Sequence, residues 1–81
     1  MRITVHFFAL LRDRAGTGEL ALQLPEGSTV DHAVEQLMRQ FPAMQGAVTK
    51  IACAVNRDYA NGQTQLHEGD ELALIPPVSG G

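Results

Sequence analysis

The segment STVDHAVEQLMRQFP, residues 28–42, constrains the fold more than any other stretch. Its apolar residues Val30, Ala33, Val34, Leu37, Met38 and Phe41 recur at i, i+3, i+4, i+7, i+8 and i+11. That spacing gathers them into one stripe of an α-helix and leaves Asp31, Glu35 and Arg39 on the far side. Ser28 or Thr29 can cap the start, Asp31 complements the dipole in the first turn, and Pro42 ends the run. Glu35 and Arg39, four apart, pair along the solvated face. A helix with one apolar stripe needs one apolar surface to cover.

Strands supply that surface. Residues 2–8, RITVHFF, alternate, with Ile3, Val5 and Phe7 on one side and Thr4, His6 and Phe8 on the other. ALLRDRAGTG follows as a short helical turn ended by Gly16. Residues 19–24 alternate again, with Leu20, Leu22 and Leu24 inward, until Pro25-Glu26-Gly27 stops them. After the helix come a strand at about residues 51–56, an irregular stretch with an Asn61-Gly62 turn, a Gly69-Asp70 turn and a last strand at 71–75. The order strand, strand, helix, strand, strand places the chain in the α+β class. It fits a β-grasp (ubiquitin-like) mixed sheet packed on one main helix, and other small α+β folds share it. The expectation is a single domain over residues 1–81 with a flexible tail at 76–81.

Composition removes several function classes. The 81 residues carry a formal net charge of −3, and the basic residues Arg2, Arg12, Arg14, Arg39, Lys50 and Arg57 are dispersed, which argues against nucleic acid and against a membrane surface. No stretch approaches the ~20 apolar residues of a membrane span. The opening MRITVHFFALL imitates a signal peptide, but Thr4 and His6 interrupt it and Arg12-Asp13-Arg14 replaces a small-residue cleavage site. Cys53 is the lone cysteine, so an internal disulfide, a CxxC pair and a cysteine-held zinc or iron–sulfur site are excluded. A cytoplasmic location is the expectation.

The remaining side chains do not assemble a catalytic constellation. His6, His32 and His67 have no short ligand spacing, so no metal site is expected. Gly16-Thr17-Gly18 lacks the third glycine and the lysine of a phosphate loop and reads as turn glycines. Cys53 alternates in phase with Ile51 and Val55 and packs as a small hydrophobe. Asp31 and Glu35 lie on a solvated helix face, without the concave setting of a general acid–base pair.

The tail is different. Pro76 and Pro77 cannot continue sheet pairing and favour an extended exit, after which Val78, Ser79, Gly80 and Gly81 reach outward. Two glycines without Cβ can enter a channel closed to other residues, and the α-carboxylate of Gly81 is the one reactive group at the tip. A frayed end after a strand stop accounts for the same residues.

DELALIPPVSGG, with HFFALLRDRAGT near the start and AVNRDYA in the middle, resembles the small, sulfur-carrying subunits of molybdopterin synthase. The likeness runs over nearly the whole chain; the tail is its most specific part, and residues 41–50 carry little signature. It implies a β-grasp fold and a carrier cycle. Gly81 would be adenylated by an ATP-dependent enzyme of the ubiquitin-activating type, then converted by a sulfur donor to a thiocarboxylate. Residues 76–81, from Pro76 to Gly81, would insert into the large synthase subunit and give sulfur to the cyclic pterin precursor. On this reading the chain binds no cofactor, ATP belongs to the activating enzyme, and the catalytic side chains belong to the partners. Rival readings of the same fold are a carrier for thiamine or tRNA thiolation and a protein modifier conjugated through Gly81.

In a β-grasp sheet the first and last strands are parallel neighbours. Phe8 is out of phase with Ile3, Val5 and Phe7, and Ile75 with Leu72 and Leu74. Phe8 and Ile75 should therefore share the uncovered face near the tail, flanked by Arg12 and Tyr59, as a partner-binding patch.

Overall fold

A computed structural model describes residues 1–46 and 50–77. Its elements are β1 (Arg2–Phe7), α1 (Ala9–Ala15), β2 (Glu19–Gln23), α2 (Val30–Gln40), a 3-10 turn (Pro42–Met44), β3 (Ala52–Val55), β4 (Asp58–Ala60) and β5 (Glu71–Ile75). The strands form one sheet in the order β2-β1-β5-β3-β4. At its centre β1 and β5 run parallel, with Val5 opposite Leu72 and Phe7 opposite Leu74. The other pairings are antiparallel. A parallel pair of terminal strands flanked by antiparallel neighbours, with a helix across one face, is the β-grasp arrangement.

The alternation in the strands and the stripe in α2 meet in the core. Ile3, Val5, Phe7, Leu22, Leu72 and Leu74 are buried on the helix side of the sheet, against Val30, Ala33 and Leu37 of α2. Val34, Met38 and Phe41 pack at the margin of that cluster, and the Phe41 ring meets Phe7 edge-on with centroids 5.9 Å apart. Leu11 of α1, Met44 of the 3-10 turn and Leu66 of the β4–β5 loop close the core at its ends.

Thr29, rather than Ser28, caps α2. Its hydroxyl accepts from the His32 amide at 3.4 Å, and the Thr29 amide donates back to His32 Nδ1 at 3.1 Å. Histidine thus fills the place that Glu or Gln takes in the usual capping box. Ser28 is buried and donates its hydroxyl to the Pro25 carbonyl at 2.8 Å. The β4–β5 loop satisfies two further amides of the helix start: Val30 donates to Thr64 at 3.0 Å and Asp31 to Gly62 at 2.9 Å.

Three elements add to the sequence reading. The short helical turn expected after β1 is a seven-residue helix; its first residue, Ala9, has φ 51, and Gly16 ends it at φ 77, as expected. Pro42 ends α2 as expected and then starts the 3-10 turn, where its missing amide costs nothing. The stretch read as irregular contains β4, which forms a two-residue hairpin with β3. Among the described residues no helix is long and apolar enough to cross a membrane.

Candidate functional site

The face of the sheet away from α2 carries Thr4, His6, Glu71, Ala73, Ala52, Ala54 and Tyr59, because strand side chains alternate and their neighbours fill the core. Phe8 follows β1 in an extended conformation, with φ −119 and ψ 151. Its amide donates to the Leu74 carbonyl at 3.3 Å, which continues the β1–β5 ladder one step and brings Phe8 beside Ile75. Phe8 is 48% exposed, while Ile75 is half-buried. Pro76 is buried at the base of the tail and Pro77 is exposed. Val78, Ser79, Gly80 and Gly81 lie outside the described residues.

Arg12 reaches this region from α1. A Cβ built on Gly18 would stand 3.2 Å from both Cζ and Nε of Arg12, so the guanidinium lies close against the glycine that precedes β2. There Arg12 lines a concavity with Phe8, His6, Thr17 and Glu19. Phe8 lines a second concavity, of ≈ 250 Å³, with His6, Glu71, Ala73 and Arg57. Between the two, His6 Nε2 is 2.8 Å from Glu71 Oε1, which ties β1 to β5, and Nδ1 lies 3.9 Å from Glu19 Oε1 of β2.

Phe8, Ile75 and Arg12 are thus brought together. Tyr59 is not beside them. It is 82% exposed and lies on the same face, paired through Ala54 and Ala73 to His6, which puts it three strands from β1, about 14 Å at ordinary strand spacing. It also borders a concavity at the β4 edge with Ile51, Cys53 and Asp31. Arg57 is the neighbour that the sequence pattern does not reveal, because the hairpin holding it carries no glycine signal.

Cys53 packs half-buried against the core, and burial pushes its thiol pKa up, with the nearby Asp31 carboxylate adding to the shift. A protonated thiol is a poor nucleophile. The three histidines are apart: His6 in the β1 row, His32 in the helix cap, His67 3.8 Å from Asp70 in the turn before β5. Among the described residues no cluster of His, Cys, Asp and Glu could hold a metal ion. The exposed Phe8, the half-buried Ile75 and the tail base at Pro76 and Pro77 thus adjoin one another at this face.

A family model described as the ThiS family matches residues 5–81. The chain belongs to the ThiS family. Among proteins similar to this ThiS-family chain is the molybdopterin synthase sulfur carrier subunit of Arabidopsis thaliana, 35% identical over 81 residues that span 100% of this chain and 84% of that protein. The crystal structure of SAMP1, small archaeal modifier protein 1, from Haloferax volcanii superimposes with a TM-score of 0.91 at 30% identity and covers 100% of both chains. A putative molybdopterin converting factor, subunit 1, from Pyrococcus furiosus has a TM-score of 0.88 at 28% identity, over 96% of this chain and 99% of that one. The ThiS-family fold, the parallel β1–β5 pair and the open face beside the tail base therefore occur together here.

Proposed function

We propose that this chain is the sulfur carrier subunit of a molybdopterin synthase. Its C-terminal Gly81 is adenylated, converted to a thiocarboxylate and inserted into the large subunit, where sulfur passes to the cyclic pterin precursor. The full-length likeness to a molybdopterin synthase sulfur carrier subunit carries this reading. The chemistry follows from the tail. A carboxylate resists attack until adenylation gives it a good leaving group. A sulfur donor then displaces AMP and leaves a thiocarboxylate, a sulfur nucleophile of the kind covalent catalysis uses. ATP serves the activating enzyme, the chain holds no cofactor, and the partners supply the catalytic side chains. The lone, half-buried Cys53 fits a reducing cytoplasmic setting.

Phe8 and Ile75, with Arg12 beside them and Tyr59 across the sheet, form the docking face for the large subunit and the activating enzyme. On this reading Pro76, Pro77, Val78, Ser79, Gly80 and Gly81 are the residues that enter the partner's channel. The test appends one residue after Gly81. The extended chain should fold and bind the large subunit, yet yield no pterin product. Product formed without trimming of the extra residue refutes the reading.

The match to SAMP1 favours a second use of the same terminus, conjugation of Gly81 to lysines of other proteins. Both uses begin with adenylation. Conjugates on a denaturing gel mark the modifier, and a free thiocarboxylate marks the carrier.

A further inference from the structure

The β3–β4 hairpin turns on Asn56 and Arg57, with Val55 opposite Asp58 and both turn residues at positive φ, 51 and 75. Such turns favour Asn followed by Gly, since a Cβ in the left-handed region is crowded. Asn56 has a structural reason to be there: its side chain donates to Asp70 Oδ1 at 2.9 Å and accepts from the Glu71 amide at 3.0 Å. Arg57 has none of that kind. It is exposed, and the ion pairs among the described residues do not involve it. Its side chain instead borders the ≈ 250 Å³ concavity around Phe8, His6, Glu71 and Ala73.

Charge on this face is arranged around Phe8. Glu71 is engaged by His6 at 2.8 Å, and Glu19 lies 3.9 Å from the same ring. Arg57 borders one of the two concavities that Phe8 lines and Arg12 the other, in a chain whose formal net charge is −3. We infer that Arg57 is a specificity-determining docking residue: its guanidinium takes a carboxylate on the large synthase subunit, beside an apolar side chain that the Phe8 hollow receives. An arginine fork next to an exposed aromatic is the composition that concentrates binding energy at interfaces. Glycine at this position would ease the backbone and remove the charge. This inference rests on the carrier reading, which supplies the partner.

The test is calorimetric titration of purified large subunit with the parent chain, Arg57→Gly and Arg57→Glu, at low and high salt, with unfolding midpoints of all three. Arg57→Gly should bind about 5-fold more weakly at low salt, with the gap narrowing as salt screens the pair. Arg57→Glu should lose more than ~20-fold, because it sets like charges against each other. The midpoint of Arg57→Gly should equal or exceed the parent's, since glycine relieves the turn. Parent-like affinity of both variants overturns the inference, and so does a lowered midpoint for Arg57→Gly, which would show that the arginine serves the fold. A parent chain that fails to bind the large subunit refutes the carrier reading itself and takes this inference with it.

Discussion

Phe8 donates its amide to the Leu74 carbonyl at 3.3 Å, at the end of the parallel β1–β5 pair and one residue before Ile75. That bond fixes where the aromatic ring leaves the sheet relative to the start of the tail. On the proposed reading, docking through Phe8 would set the position from which the tail reaches a partner's active site.

Replacing Phe8 with Asp should weaken binding to the large subunit by about 10- to 100-fold, the worth of burying one large apolar side chain. The ring is 48% exposed in the free chain, so the unfolding midpoint should stay near the parent's. Titration and thermal melts check both halves. Parent-like affinity would remove Phe8 from the interface.

Leu37→Ala should do the opposite. Leu37 is fully buried between α2 and the sheet, and truncation there costs about 2–5 kcal/mol, a large share of the stability of so small a domain. Urea unfolding should show the loss, while affinity measured where the variant is still folded should be unchanged.

Thr29→Ala removes the hydroxyl that caps α2 and breaks the reciprocal pair with His32. A loss of ~1 kcal/mol is expected from denaturant unfolding, with sulfur loading intact.

Cys53 gives a pH dependence of defined sign. Burial raises its thiol pKa above the ordinary 9.0, so the folded chain holds that proton more tightly than the unfolded chain. The associated stability is fully present below the unfolded value and is lost as pH rises through the folded one. Denaturant midpoints should therefore fall above pH 9 in the parent more steeply than in Cys53→Ala. At neutral pH the thiol should react with a disulfide reagent more slowly than free cysteine, and Cys53→Ala should load sulfur as the parent does.

Elements with a clean period were legible in the sequence. α2 followed from its six apolar positions, and β1 and β5 from alternation that the core then filled. β4 escaped because Asn56-Arg57 makes its turn without glycine, relying on side-chain bonds from Asn56 to Asp70 and Glu71 that are distant in sequence. α1 is legible as a short helical turn ended by Gly16, and only its full length and its start escaped. Its seven residues are too short to show a helical period, and its left-handed start at Ala9 has no sequence mark. At the docking face, the phase of Phe8 and Ile75 could be read strand by strand. The separation of Tyr59 from them could not, since it depends on β4 lying at the sheet edge.

The central claim is that sulfur is carried on the α-carboxylate of Gly81. Intact mass of the chain after incubation with the activating enzyme, ATP and a sulfur donor tests it most directly. The account predicts a gain equal to one oxygen-to-sulfur exchange, dependent on ATP, retained in Cys53→Ala and mapped by fragmentation to Gly81. An unchanged mass, or sulfur found on Cys53, would contradict it.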